Sequence, residues 1–164
     1  MPAKNNSGKD DNLLKLDHQL CFALYVSSKE IIRRYKPFLD PLNLTYTGYI
    51  CMLALWEEDD VTVKALGARL TLDSGTLTPL LKRLESLSYI VRTRGEEDER
   101  TVRIRLTEAG KALREPASKI PGQFCAATSI DPERTRMLLD FLHRLSSHLF
   151  NHRAPSAGML PEGE

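Results

Sequence analysis

The sequence predicts a mainly α-helical fold carrying one small β-hairpin, and three observations predict it. Apolar residues recur at helical spacing along most of the chain. The period switches to two only around residues 101–106, where Val102, Ile104 and Leu106 alternate with Thr101, Arg103 and Arg105. The composition of the 164 residues, 41% hydrophobic and 27% charged, supplies a core and is too apolar for a disordered chain. That length suits one domain with terminal extensions and argues against a two-domain enzyme.

The elements follow in order. Residues 1–12 read as a flexible, polar tail. Over 13–39, Leu13, Leu16, Leu20, Leu24, Ile31, Tyr35 and Phe38 make one long helix, and Cys21, Tyr25 and Ile32 form a second apolar line beside the first. More than one face therefore needs covering. Pro41 ends that helix, and Thr45 or Thr47 caps a second through Ile50, Leu53, Leu55 and Trp56. A short helix runs from Thr62 or Val63 to Leu70. The next, within 72–89, puts Leu77, Leu80, Leu81, Leu84 and Leu87 on one side. Its start is open: a Thr78 cap places Pro79 at the first helical position, whereas a cap at Asp73 or Ser74 leaves Pro79 inside, where it forfeits a backbone hydrogen bond. Residues 90–94 and 101–106 form a two-stranded hairpin around the acidic turn 95–99. Thr107, Glu108 and Gly110 open another helix that Pro116 and Pro121 bend or interrupt, residues 129–152 form the last, and 153–164 read as a second tail.

Charge and cysteine content narrow the function. The net charge is +1, so any nucleic-acid footprint must be local. No stretch approaches the roughly 20 apolar residues needed to span a bilayer, and the polar start has no signal-peptide core, which places the expected chain in the cytoplasm, away from membranes. Three cysteines, Cys21, Cys51 and Cys125, without zinc-type spacing, read as free thiols rather than a disulfide framework. His148 and His152 stand one helical turn apart and could share a metal with His143, but no carboxylate or cysteine completes the set, so neither metal nor cofactor is expected.

Short helix, turn, second helix and hairpin over 61–106 make a winged helix-turn-helix, whose second helix can enter a major groove. This segment holds nine basic against six acidic side chains. Lys82 and Arg83 can hold phosphates, and Ser74, Thr76 and Thr78 are short donors for base edges or phosphates, or else plain helix caps. Arg92 and Arg94 add positive charge on the hairpin. The acidic tip, taken alone, is a soluble turn.

The run LDSGTLTPLLKRLE at 72–85, followed by EEDER at 96–100, resembles the recognition helix and wing of the MarR family of bacterial repressors. The segments QLCFALY at 19–25, YKP at 35–37 and LTY at 44–46 narrow the resemblance to its organic-hydroperoxide-sensing branch. The resemblance implies a homodimer on a palindromic double-stranded operator, with 13–40 and 107–152 as dimerisation helices, all within one domain over 13–152. It also implies a helix start at Asp73 or Ser74, and an Arg100 that reaches a minor groove with Asp98 and Asp73 orienting it.

Peroxides oxidise thiolates, so a sensing cysteine needs a lowered pKa. Local sequence does not activate Cys21: the expected helix places it far from the N-terminus, only His18 is an ionisable neighbour, and a cysteine between Leu20 and Phe22 also suits a packed core. The resemblance supplies Tyr35 and Tyr46 from the opposite subunit as donors to the thiolate, with Tyr25 shaping the pocket, and makes Cys125 in QFCA the partner of Cys21 in an intersubunit disulfide. Cys51, between Ile50 and Met52, reads as inert packing. The function expected is a repressor, not an enzyme, that releases the operator of a peroxide-detoxification gene when an organic hydroperoxide oxidises Cys21. The alternative keeps the fold but releases DNA with a small apolar or phenolic ligand and no thiol chemistry. A thiol peroxidase using Cys21 and Cys125 is disfavoured, because no Arg or Lys flanks Cys21 to position a peroxide.

Overall fold

The structure is a computed structural model that describes residues 12–94, 101–129 and 131–151. Where the sequence points to one domain over 13–152, the contacts group the chain into two compact units, Met1–Phe124 and Cys125–Glu164. The core lies in the first; beyond Phe124 no described residue is buried.

In the first unit a 3-10 turn, Leu16–His18, precedes α1, Leu20–Leu39. Helix α1 is thus shorter at its start than the apolar spacing from Leu13 suggests. Gln19 is extended, with φ −91° and ψ 113°, and its carbonyl accepts the first helical hydrogen bond from the Ala23 amide at 3.1 Å. The preceding residues close locally instead: Gln19 Nε2 donates to the Lys15 carbonyl at 3.3 Å, and the His18 amide to the same carbonyl at 3.0 Å. Periodicity alone does not separate one helix from a turn that keeps its phase.

A 3-10 turn, Asp40–Leu42, leads to α2, Tyr46–Glu57, capped by Thr45, whose hydroxyl accepts from the Gly48 amide at 3.1 Å. Thr62 caps α3, Val63–Leu70, through the Ala65 amide at 3.0 Å. Asp73 caps α4, Ser74–Ser86, so Pro79 stands inside the helix. This resolves the open start in favour of the longer helix: a carboxylate on two first-turn donors holds it in spite of the hydrogen bond missing at Pro79. Thr107 caps α5, Glu108–Ala112, and α6, Arg114–Ala117, and α7, Ile120–Thr128, follow as short pieces with Pro116 and Pro121 near their starts.

The hairpin is part of a three-stranded antiparallel sheet, not a two-stranded one. Strands β1, Val61–Thr62, β2, Ile90–Arg94, and β3, Val102–Leu106, lie in the order β1-β3-β2. The register pairs Val61 with Ile104 and Arg92 with Ile104 on its two sides. Two residues are too few for alternation to reveal β1 in the sequence.

Helix α2 is the centre. Gly48, Tyr49, Cys51, Met52, Ala54 and Leu55 are all buried along it, and α1, α3, α4 and β3 pack around it. Leu66 of α3, Leu77, Leu81 and Leu84 of α4, Ile90 and Ile104 of the sheet, and Ala117 and Ile120 complete the core. Two long-range bonds tie its rim: Trp56 Nε1 donates to the Gly110 carbonyl at 2.9 Å, and the Tyr89 hydroxyl to the Leu42 carbonyl at 3.0 Å. A Cβ at Gly110 would stand 2.0 Å from the Tyr89 carbonyl oxygen, so this close approach requires glycine.

Two ion-pair groups hold the sheet. Arg92 of β2 meets Glu85 of α4, with Nε to Oε2 at 2.9 Å. Arg103 and Arg105 of β3 meet Asp60, at 2.8 Å and 3.1 Å. The hydrogen bond from Arg103 holds the Asp60 carboxyl below its usual range, and that from Arg92 does the same for Glu85.

The second unit contains α8, Pro132–Asn151. Asp131 Oδ1 caps it through the Glu133 and Arg134 amides at 2.8 Å and 3.1 Å. Met137, Leu138, Leu139, Phe141, Leu149 and Phe150 are exposed on it, as Leu20, Tyr25, Val26, Ile31 and Ile32 are on α1. Among the described residues no helix is long and apolar enough to cross a membrane. The expected tails, 1–12 and 153–164, lie outside the described residues except for Asn12.

Two outcomes follow. Gly110→Ala should lower unfolding stability by about 3 kcal/mol, read by urea denaturation, since the clash is with backbone; a change under 0.5 kcal/mol would contradict the close approach. Because both carboxyls have folded pKa values below their unfolded ones, their contribution is complete above about pH 4.5 and fades as pH falls through the lower folded values. The protection factors of the β3 amides, taken against the intrinsic exchange rate at each pH, should therefore fall below about pH 4 and be insensitive to this effect between pH 5 and 7.

Candidate DNA-reading face and thiol sites

Helix α4 has one face for the core and one for solvent. Leu77, Leu81 and Leu84 are buried, while Ser74, Thr78 and Lys82, spaced by four, are exposed, with Arg83 beside them. Among the described residues neither Lys82 nor Arg83 makes an ion pair. Both are available to phosphates. Thr76 has the cap role that the sequence leaves open: its amide donates to Asp73 Oδ1 at 2.9 Å and its hydroxyl to Oδ2 at 3.1 Å. The amide first, and then the hydroxyl, hold the Asp73 carboxyl below its ordinary range. Both Asp73 oxygens are engaged at the helix start; Asp98 and Arg100, with which the resemblance links it, lie outside the described residues.

On the wing, Arg94 is exposed, whereas Arg92 is half-buried and bound to Glu85. Arg92 thereby joins the wing to α4, a role that its sequence neighbours do not show because Glu85 is presented by the helix. A cleft of about 760 Å³ opens between α3, α4 and the sheet, with Lys64, Ser74, Thr78 and Arg92 as polar lining on a floor that includes Leu77 and Leu81.

The three cysteines have three environments. Cys51 is fully buried on α2, and burial pushes its thiol up to about 12, as its apolar neighbours suggest. Cys21 is exposed and is the second residue of α1. This corrects the expectation that it lies far inside a helix and away from its N-terminus: because α1 starts at Leu20, Cys21 stands in the first turn, where amide donors lack helical partners. Cys125 is exposed, in the second unit.

Tyr35 is half-buried and stacks on Phe124 with centroids 4.1 Å apart, meets Tyr46 edge-on at 5.2 Å, and lies 6.1 Å from Tyr49. The structure thus brings Tyr35 and Tyr46 together, with Phe124 a support that sequence spacing does not expose. Tyr25 is exposed and accepts a hydrogen bond from Lys29 Nζ at 3.3 Å. Tyr35 lies 14 residues beyond Cys21 on the same helix, about 21 Å along the axis. A tyrosine pair so placed does not serve the thiol of its own chain. Among the described residues no metal-holding group exists, and His152 lies outside them.

The contrast in burial is measurable. Iodoacetamide at pH 8 should leave Cys51 unmodified in the folded protein and modify it once urea unfolds the chain, as read by peptide mass spectrometry; rapid native labelling of Cys51 would contradict its place in the core.

Comparisons with known proteins agree with this architecture. Residues 33–115 match the family described as transcriptional regulator SarA/Rot. The organic hydroperoxide resistance transcriptional regulator of Bacillus subtilis is 50% identical over 132 residues, covering 80% of this chain and 90% of that protein. The reduced, DNA-bound structure of AbfR is similar at TM-score 0.71 and 31% identity, covering 86% of this chain and 98% of that one. The disulfide-formed AbfR is similar at TM-score 0.59 and 33% identity, covering 85% and 98%. Winged helix, terminal helices and these identities together establish that the chain belongs to the MarR family of transcriptional regulators, of the organic hydroperoxide regulator type.

Proposed function

We propose that the protein is a homodimeric repressor that binds a palindromic operator and releases it when an organic hydroperoxide oxidises Cys21. The observation that carries this reading is the placement of Cys21: an exposed thiol in the first turn of α1, while Cys51 is sealed in the core. The apolar faces left exposed on α1 and α8 suit burial against a second copy. With its own tyrosine pair some 21 Å along the helix, each Cys21 takes Tyr35 and Tyr46 from the partner subunit as donors to its thiolate, with Tyr25 at the pocket edge.

The chemistry balances without a cofactor. The Cys21 thiolate attacks one oxygen of the hydroperoxide, the O–O bond breaks, and the alcohol leaves after taking up a proton, which makes the sulfur a sulfenic acid. The Cys125 thiol of the partner subunit then displaces water, forming the intersubunit disulfide. Linking α1 of one subunit to α7 of the other alters the separation of the two DNA-reading helices and releases the operator. On the DNA side, Lys82 and Arg83 hold phosphates, and Ser74 and Thr78 face the major groove. Thr76 and Asp73 fix the start of the helix, Arg94 and Arg100 with Asp98 serve the wing, and Arg92 secures that wing to α4.

A gel shift tests the switch. Stoichiometric cumene hydroperoxide should abolish operator binding by wild type and spare Cys21→Ser, and thiol reductant should restore the wild-type complex. Equal release of both proteins by hydroperoxide would refute thiol sensing. Release by an apolar ligand with all thiols unmodified would favour the alternative. Mass spectrometry of the oxidised dimer should show a Cys21–Cys125 cross-link between chains; Cys21 modified alone would remove the resolving role of Cys125.

A further inference from the structure

The wing is gripped from both faces, by acidic residues that take no direct part in reading DNA. In an antiparallel pair, residues directly opposite share a face. Arg92 therefore shares a face with buried Ile104, towards α4, where Glu85 receives it. Arg103 and Arg105 alternate with Ile104 and so project from the opposite face. There they meet Asp60, in the turn between α2 and β1. Arg103 Nε donates to Asp60 Oδ1 at 2.8 Å, the Arg103 guanidinium also donates to the Asp60 carbonyl, and Arg105 stands 3.1 Å from Oδ2. Asp60 adopts a left-handed conformation, φ 57°, which presents its carbonyl and carboxylate together. Its neighbour Asp59 adds an acceptor for the Leu106 amide at 2.8 Å. One short turn thus holds β3 at three points, the side chains of Arg103 and Arg105 and the amide of Leu106.

We propose that Asp60 is a positioning and specificity residue for DNA binding: by drawing Arg103 and Arg105 onto the turn ahead of β1, it fixes the inclination of the wing relative to α4 and withholds two guanidiniums from unselective contact with phosphates. This rests on the DNA-reading assignment above and adds to it a residue that touches no DNA. Two consequences separate this role from simple stabilisation. A wing freed from Asp60 loses its aligned contact beside the major-groove site, so affinity for the selected sequence falls. The same change releases two cations, so affinity for random sequence holds or rises and its salt dependence steepens.

The test uses full-length dimer and a duplex that the wild-type protein itself enriches from a random-sequence pool, with a scrambled duplex as control. Asp60→Asn is the main variant, because asparagine tolerates the left-handed backbone while removing the charge. It should bind the enriched duplex about tenfold more weakly and the scrambled one no more weakly than wild type. Hydroxyl-radical protection at the flanks should fade while major-groove methylation protection at the centre persists. Arg103→Gln should weaken the enriched complex by a similar factor, and the double variant should be no worse than either single one, the mark of a shared interaction. A wild-type ratio of enriched to scrambled affinity in Asp60→Asn, with flank protection intact, would overturn the proposal. So would an equal loss on both duplexes in Asp60→Asn and Arg103→Gln alongside a lowered melting temperature, since that marks a structural role alone. Wild-type protein that enriches no sequence, or protects only the centre, would instead sink the DNA-reading assignment on which the proposal stands.

Discussion

The burial of α2 is the constraint from which the rest of the molecule follows. A 12-residue helix with apolar side chains on nearly every side cannot lie on a surface, so other elements must enclose it. Helices α1, α3 and α4 and strand β3 do so. Because α3 and α4 each turn their leucines inward to α2, their remaining faces are set without further choice: Ser74, Thr78 and Lys82 look outward because Leu77, Leu81 and Leu84 look inward. The surface proposed to read DNA is in this sense the reverse side of the core.

The same enclosure sorts the thiols. Cys51 is on the enclosed helix, where burial disfavours the anion, and the thiol remains protonated. Cys21 and Cys125 belong to elements that the core does not seal. The two exposed thiols are thereby left to solvent or to a covering subunit, which is where the redox switch proposed above would act without opening the core. The wing is the complementary case. Anchored in the core by Ile90 and Ile104, it is also joined to the rest by ion pairs on both faces through Glu85 and Asp60.

Much of this was legible in the residues themselves. The helix-turn-helix over 63–86, the alternating β3, a cap at Thr45 or Thr47, the helix starts near Thr62 and Thr107 and the inert character of Cys51 follow from local rules: side-chain period, capping chemistry and apolar context. The motif at 72–85 supplied what capping preference did not, that Pro79 lies inside α4. Local rules failed in three places. The turn at 16–18 keeps the helical phase of its leucines and hid the true start of α1. Strand β1 is too short to alternate. The acidic partners of Arg92 and Arg103 lie 7 and 43 residues away, beyond the reach of local spacing rules.

The sequence by itself determined the class of fold, the composition of the reading helix and the family, because these depend on spacing within a few turns of chain. Only the tertiary structure decided which cations are free and which are paired, which thiol stands at a helix start and which is sealed, and where Tyr35 finds its aromatic neighbours. Those outcomes depend on distances between residues far apart in the chain, and Coulomb attraction, desolvation and ring stacking act over a few ångströms of space regardless of separation in sequence.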